Sequence, residues 1–146
     1  MKYGMTEGMF LQLLIAMFKI QGYSNNDNNT IARYQLQRDL FKYCKDPKFS
    51  CLFDEVKDGI SESGEFVGLD PGFDLMESFG FLITDSYNYK EIYYRINLTP
   101  ERAQDILDEY PVEIQKAASE LTLVLSRGKD GLQTIDDYIN EKIKKF

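Results

Sequence analysis

The longest hydrophobic run of the chain covers residues 9–18 and is interrupted only by Gln12. A helix that is apolar on every side is a buried one, so this run predicts a helix at the centre of the core. Thr6 is a residue type that caps the start of a helix, and Gly22 is a typical stop after about Gln21. The run is shorter than the roughly 20 residues that a membrane-spanning helix needs.

A second helix is predicted over residues 30–45, and it has two distinct sides. At 100° per residue its apolar side and its basic side point away from each other. The apolar side consists of Leu36, Leu40, Tyr43 and Cys44, and the basic stripe consists of Arg38, Lys42 and Lys45, with Lys48 close by.

Two Asp-Pro pairs mark the starts of the next helices, because Asp caps a helix and proline fits its first turn. Asp46-Pro47 opens a third helix that runs to about residue 58. Asp70-Pro71 opens a short helix that Gly80 ends. Each of these helices has apolar residues at helical spacing.

After Gly80 the hydrophobic period changes from that of a helix to that of a strand. Residues 81–84 and 92–96 are rich in β-branched and aromatic residues. They flank a polar segment, residues 85–91, and this arrangement predicts a β-hairpin with residues 85–91 as its turn region.

Helices resume at Thr99-Pro100, and Pro111 either interrupts that helix or starts a new one. A last helix is predicted within residues 132–146. The order of helices, hairpin and helices predicts a mainly α fold of the α+β class. At 146 residues the chain fits one domain, with a core in residues 1–110 and a C-terminal helical extension in residues 111–146.

The composition argues against an enzyme. The chain has no histidine, which excludes Ser-His-Asp and Cys-His catalysis and most zinc or iron sites. Cys44 and Cys51 are too few for a disulfide framework or a zinc site and are interpreted as buried thiols, with a redox pair as the alternative. We expect no catalytic residues, no metal and no cofactor.

Negative charge is concentrated in the middle of the chain. Residues 1–50 carry 7 Lys and Arg against 4 Asp and Glu, whereas residues 51–110 carry 4 against 14. An acidic segment repels phosphate backbones and favours a basic partner protein. A mean hydropathy of -0.39 and the lack of a signal-peptide pattern predict a cytoplasmic protein with no membrane association.

Residues 75–83 (LMESFGFLI) lead through a polar turn to residues 94–99 (YRINLT). This segment resembles the third helix and wing of winged-helix proteins. In that superfamily a helix ends in Gly, a strand begins with an apolar pair, and the returning strand finishes in Leu-Thr before a helix. The resemblance implies a helical domain with a winged-helix-like hairpin, in which the third helix normally reads DNA in the major groove.

A narrower resemblance is to the Panacea-type group of phage-associated and antitoxin-like proteins. It rests on residues 36–41 (LQRDLF), residues 64–66 (GEF) and the winged segment, and it covers residues 6–107. Pro71-Gly72 departs from the Gly-Pro pair of that group, and the Gly expected after the Leu-Thr pair is missing. The resemblance implies an antitoxin, an inhibitor or a subunit of a phage or bacterial defence or regulatory system.

The predicted third helix has the wrong charge for a nucleic-acid reader, because it offers carboxylates and no Lys or Arg. Each acidic group near a phosphate lowers the affinity for DNA. The sequence therefore argues against nucleic acid and favours protein contacts through this helix. The carboxylates are those of Asp70, Asp74 and Glu77.

Tyrosines in the hairpin supply further candidates for a protein interface. Alternation places Tyr87, Tyr89 and Tyr93 near the tip or on an outer face, and places Tyr94 in the core. Tyrosine is enriched in interfaces because it offers a large contact area at low entropic cost. A tyrosine-rich strand packed on the helices is the alternative interpretation.

The leading hypothesis is a non-enzymatic protein-binding module on an acidic winged-helix-like scaffold. The alternative is a DNA-binding transcriptional regulator that uses the basic face of the second helix, with Arg38, Lys42, Lys45 and Lys48 as contacts. The C-terminal helix also favours a homodimer, because it presents an apolar edge. That edge consists of Ile135, Ile139, Ile143 and Phe146.

Overall fold

The computed structural model describes residues 6–26, 29–53, 56 and 69–126. In these ranges helices dominate and three strands form one antiparallel sheet, which confirms the predicted mainly α fold of the α+β class. In chain order the elements are α1 (Glu7–Gln21), β1 (Ile31–Ala32), α2 (Arg33–Tyr43), a 3-10 helix (Pro47–Phe49), α3 (Ser50–Phe53), α4 (Asp70–Ser78), β2 (Leu82–Asn88), β3 (Glu91–Ile96), α5 (Pro100–Asp108) and α6 (Val112–Leu125).

Helix α1 is the central element of the core, as its hydrophobic run predicts. Its buried side chains are Phe10, Leu11 and residues 13–18, and the helix packs against α4, α5 and α6. The Oγ1 atom of Thr6 accepts a hydrogen bond from the backbone N of Met9 at 3.2 Å. Gly22 then ends the helix in the left-handed conformation at φ 71°. Both predicted ends of α1 are confirmed.

The second helix begins at Arg33 rather than at residue 30, because Ile31–Ala32 forms strand β1. Ile31 lies opposite Tyr94 in β3, and Ala32 lies opposite Tyr93. The side chain of Asn25 holds β1 in place: its Nδ2 donates to the carbonyl of Ala32 at 3.0 Å, and its Oδ1 accepts from the N of Ala32 at 2.8 Å. These bonds satisfy the extended backbone of Ala32, so the helical prediction for residues 30–32 is wrong.

The third predicted helix begins where the Asp-Pro pair indicates. The Asp46 side chain accepts a hydrogen bond from the N of Lys48 at 2.9 Å, and Pro47 opens the 3-10 helix that leads into α3. The buried side chains of Phe49, Leu52 and Phe53 join the core. Most of the predicted remainder of this helix lies outside the described residues.

The hairpin has longer strands and a tighter turn than its polar residues predict. β2 and β3 pair from Leu82 opposite Ile96 to Asn88 opposite Glu91, so only two residues connect them. The register shifts between Thr84 and Ser86, which makes Asp85 the extra residue of a β-bulge. The polar residues of β2 mark a solvent-exposed strand rather than the predicted turn.

Helices α4, α5 and α6 complete the core around α1. Gly80 follows α4 in the left-handed conformation at φ 77°, and Thr99 caps α5 by accepting from the N of Arg102 at 3.1 Å. Pro111 separates α5 from α6, so it starts a new helix. The predicted apolar faces are buried: Ala103, Ile106, Leu107 and Tyr110 in and after α5, and Ile114, Ala118, Leu121 and Leu125 in α6.

The predicted last helix and its apolar edge, Ile135, Ile139, Ile143 and Phe146, lie outside the described residues. Among the residues that are described, no helix has both the length and the hydrophobicity needed to cross a lipid bilayer.

Candidate interaction surface

Arg33, the first residue of α2, joins α2 to α4 and to the hairpin. Its guanidinium donates to Asp70 Oδ1 at 3.0 and 3.3 Å, to Asp74 Oδ1 at 3.2 Å and to the Tyr94 hydroxyl at 3.1 Å. It also lies 5.2 Å from the ring centroid of Phe73, which stacks on Tyr94 at 5.9 Å. A buried cation needs such partners, because an unpaired charge in the interior is costly.

The charge states of this cluster follow from its contacts. Burial alone lowers the pKa of Arg33, but the hydrogen bonds to Tyr94 and Asp70 outweigh it, so the pKa lies above its ordinary value. Burial raises the pKa of the Tyr94 hydroxyl more than the neighbouring Arg33 lowers it. Arg33 is therefore always charged and Tyr94 is neutral at physiological pH.

The three predicted interface carboxylates of α4 differ in their surroundings. The Oδ1 atom of Asp70 points toward α2, where it accepts from Gln37 Nε2 at 2.7 Å as well as from Arg33. The side chain of Asp70 is 41% exposed. Asp74 bonds Arg33 through one oxygen and its side chain stays 69% exposed. Glu77 is exposed and accepts from the Thr84 hydroxyl at 2.9 Å. Asp74 and Glu77 thus remain accessible to a partner.

The hairpin tip, residues 87–90, extends into solvent with two tyrosines. Tyr87 is 78% exposed and Tyr89 is 90% exposed, and Lys90 Nζ lies 5.2 Å from the Tyr89 ring centroid. Tyr93 is half-buried on β3, whereas Tyr94 is buried in the core. The predicted positions of Tyr87, Tyr89 and Tyr94 are confirmed, but Tyr93 is less accessible than the tip residues.

Two grooves flank the hairpin tip. The first, called here the tyrosine groove, has a volume of about 430 Å³. It lies between α4, the start of α2 and the hairpin. The residues that line it include Arg33, Tyr34, Glu77, Thr84, Tyr87, Tyr89 and Ile92.

The second groove has a volume of about 640 Å³ and lies on the β1 side of the hairpin, among Asn25, Gln35, Arg38, Lys90, Glu91 and Tyr93. Glu91 is buried there and caps α2: its Oε1 accepts from the N of Tyr34 at 2.7 Å and its Oε2 from the N of Gln35 at 3.0 Å. Arg38 pairs with the Glu91 carboxylate at 3.8 Å, so the excess positive charge of this groove comes from Lys90.

The predicted basic stripe is only partly available to a nucleic acid. Arg38 pairs with Glu91 and also donates to Gln35 Oε1 at 3.2 Å. Lys42 pairs with Asp39 at 3.5 Å. Lys45 and Lys48 are exposed, and the Nζ of Lys48 lies 5.8 Å from the Phe49 ring centroid.

An apolar surface at the end of α4 was not identified by sequence reasoning. Helical spacing groups Leu75, Met76 and Phe79, but only Met76 is buried, whereas Phe79 is 61% exposed. The Phe79 ring contacts Phe81 edge-on at 6.1 Å between centroids. Spacing alone does not separate a core residue from an apolar surface residue on a helix this short.

Arg33 and Glu91 were also missed, for a related reason. Both act through partners far away in the sequence. One local signal for Glu91 exists: α2 begins after Ala32, which offers no side-chain cap, so the helix needs an acceptor from elsewhere.

Comparisons with protein-family models, with curated proteins and with solved structures found no match. In the part of the chain that the structure describes, no group of three or more Cys, Asp or Glu residues is placed to hold a metal ion. The function is therefore inferred from the geometry and charge of this surface.

Proposed function

We propose that the chain is a non-enzymatic module that binds another protein through α4 and the hairpin tip. The observation that carries this proposal is the exposure of aromatic rings beside an accessible carboxylate: Tyr87 and Tyr89 project into solvent and line the same groove as Glu77. Aromatic side chains are the commonest anchors of protein interfaces. The carboxylate selects a basic partner.

The topology supports a winged-helix-like scaffold for this role. Strand β1 precedes α2 and pairs with the returning strand of the hairpin, giving the sheet order β1-β3-β2. On the proposed winged-helix-like scaffold, α4 corresponds to the DNA-reading helix. Since α4 contains Asp70, Asp74 and Glu77 and no Lys or Arg, the same position serves protein contacts here.

The role that fits such a module is that of an antitoxin, an inhibitor or a subunit of a phage or bacterial defence or regulatory system, acting in the cytoplasm. The cysteines Cys44 and Cys51 are both free thiols, and free thiols are typical of reducing compartments.

Site-specific photo-crosslinking in the native host tests the proposal. A photoreactive phenylalanine analogue at position 89 is expected to give a discrete covalent product with one partner. The same analogue at Val112, which is 73% exposed on α6, is the matched control. Equal labelling from both positions would refute the proposed surface.

With the partner purified, the double variant Tyr87→Ser/Tyr89→Ser is expected to weaken binding about tenfold or more, because truncating interface tyrosines often costs above 1 kcal/mol. The variant Val112→Ser is expected to bind like the natural chain.

The DNA-binding alternative is supported by the exposed cations Lys42, Lys45 and Lys48. It predicts duplex binding at low salt that weakens steeply as salt increases. Fluorescence anisotropy with a mixed-sequence duplex measures this directly. Binding that is lost in the double variant Lys45→Glu/Lys48→Glu would replace the protein-binding proposal, and flat titrations would remove the alternative.

A further inference from the structure

We infer that the tyrosine groove receives the side chain of a lysine or arginine of the partner. This inference rests on the proposed function and names the chemistry of its central contact. It is carried by three features of the groove: its aromatic walls, its net charge and the preset position of Glu77.

The walls of the groove provide faces for a cation. Tyr34, Tyr87 and Tyr89 line it. The Tyr34 ring centroid lies 5.8 Å from the Arg33 guanidinium and the Tyr89 ring centroid 5.2 Å from Lys90 Nζ, so the 78% exposed ring of Tyr87 is the main face for an incoming cation. An ammonium or guanidinium group over a tyrosine ring is attracted by the negative face of the ring. A volume of about 430 Å³ lies in the lower part of the roughly 300–1,000 Å³ range of ligand pockets.

The charge around the groove is negative although a cation lies at its base. Arg33 lines the groove, but Asp70 and Asp74 both bind its guanidinium. The carboxylates of Asp70, Asp74 and Glu77 face two cations, Arg33 and the Lys90 ammonium beside Tyr89, which leaves an excess of one negative charge. An incoming cation is therefore attracted, and an incoming anion is repelled.

Glu77 is held in position before any ligand arrives. The Thr84 hydroxyl donates to its Oε1 at 2.9 Å in a solvent-exposed hydrogen bond, which favours a carboxylate position beside strand β2 and leaves Oε2 for another donor. A positioned carboxylate beside aromatic rings loses little side-chain entropy on binding, so its contact with a cation is stronger than that of a mobile surface glutamate.

The groove on the other side of the hairpin tip has the opposite character. Arg38 and Lys90 line it, and the carboxylate of Glu91 is occupied by the start of α2. The hairpin tip thus separates a groove with an excess of negative charge from a groove with an excess of positive charge, and the second groove serves as an internal control for the titration.

The test is a titration of the full-length protein with N-acetyl-arginine methylamide, followed by ¹H–¹⁵N correlation spectra. We expect saturable shifts of the backbone amides of Thr84, Tyr87 and Ile92. The matched control is N-acetyl-citrulline methylamide, which has nearly the same shape and no charge, and which is expected to leave these amides unchanged. N-acetyl-glutamate methylamide is expected to leave them unchanged as well.

Two variants locate the site. Glu77→Gln keeps the shape and the acceptor for Thr84 but removes the charge, and Tyr87→Ser removes one ring from the exposed tip. Each variant is expected to lower the affinity for the arginine probe roughly two- to fivefold, which is the range for a surface ion pair or an exposed cation–π contact. Glu113→Gln, an exposed carboxylate on α6 outside the groove, is expected to change nothing.

Equal shifts with the citrulline probe, shifts confined to residues outside the groove, or unchanged affinity in both groove variants would each overturn the inference. The titration needs no partner, so its failure is separable from that of the proposed function. A positive titration with no crosslinking from position 89 would refute protein binding while keeping the cation site.

Discussion

Arg33 shows how a single residue connects the elements of this surface. The separate nitrogen atoms of its planar guanidinium reach Asp70, Asp74 and Tyr94 together. A lysine has a single ammonium nitrogen and cannot reproduce this spread of donors. Periodicity along α2 identified the apolar side of that helix, with Leu36 and Leu40 buried. It did not reveal Arg33, because the partners of Arg33 come from segments whose approach no local pattern encodes.

The variant Arg33→Lys is expected to lower the free energy of unfolding by about 1–3 kcal/mol, since it leaves charged and hydrogen-bonding partners incompletely satisfied. Urea denaturation measures the change. The control is Arg95→Lys. The Arg95 side chain pairs with Asp85 at 3.3 Å on the surface, and this substitution is expected to lower the free energy of unfolding by at most about 0.5 kcal/mol. Equal effects of the two variants would show that the Arg33 cluster does not stabilise the fold.

Tyr94 gives a pH prediction with a definite sign. Burial raises the pKa of its hydroxyl in the folded state, so its contribution to stability is fully present below the unfolded value of about 10 and is lost as the pH rises through the folded value. Urea denaturation of the natural chain and of Tyr94→Phe between neutral and strongly alkaline pH measures it. The stability difference between the two is expected to shrink above pH about 10, whereas parallel curves would contradict the argument.

At the scale of the elements, the hairpin and α2 stabilise each other through Glu91. The strand supplies the acceptor that the start of the helix lacks, at 2.7 and 3.0 Å. Helix boundaries set by local caps, such as those at Thr6 and Thr99, could be predicted from the sequence. The start of α2 could not, because Asn25 and Glu91 determine it from outside the helix.

The variant Glu91→Gln is expected to lower the free energy of unfolding by about 1–2 kcal/mol, because a neutral amide binds the two N–H groups of α2 less well than a carboxylate. Hydrogen exchange should accelerate first at the amides of Tyr34 and Gln35. Glu101→Gln, in the exposed first turn of α5, is the matched control. Unchanged exchange at Tyr34 and Gln35 would contradict the capping role.

At the scale of the whole molecule, folding and binding use different sets of residues. The core surrounds α1, and the hairpin tip contributes little to it, with Tyr87 and Tyr89 in solvent. The core could be predicted from the hydrophobic run of α1 and from the apolar faces of the other helices, and the exposure of Tyr87 and Tyr89 could be predicted from their position near the hairpin tip. The grooves could not, because they form only where α2, α4 and the hairpin meet.

The double variant Tyr87→Ser/Tyr89→Ser is therefore expected to change the free energy of unfolding by less than about 0.5 kcal/mol, as for other surface substitutions. Thermal or urea denaturation measures this. Tyr94→Ser, which removes a buried ring, is expected to cost about 3–5 kcal/mol by comparison. A loss above about 1 kcal/mol in the double variant would mean that the tip rings pack on the fold.

The bulge at Asp85 is expected to reduce aggregation of the folded protein at high concentration. β2 lies at the edge of the sheet. The unpaired backbone N–H and C=O groups of a flat edge strand can pair with a strand of another chain and so promote aggregation. The additional residue of the bulge interrupts the regular strand, so that β2 has three residues in regular register with β3 on each side of Asp85. Deletion of Asp85 would restore a regular ladder, and time-resolved light scattering is expected to show faster aggregation of the deletion variant than of the natural chain.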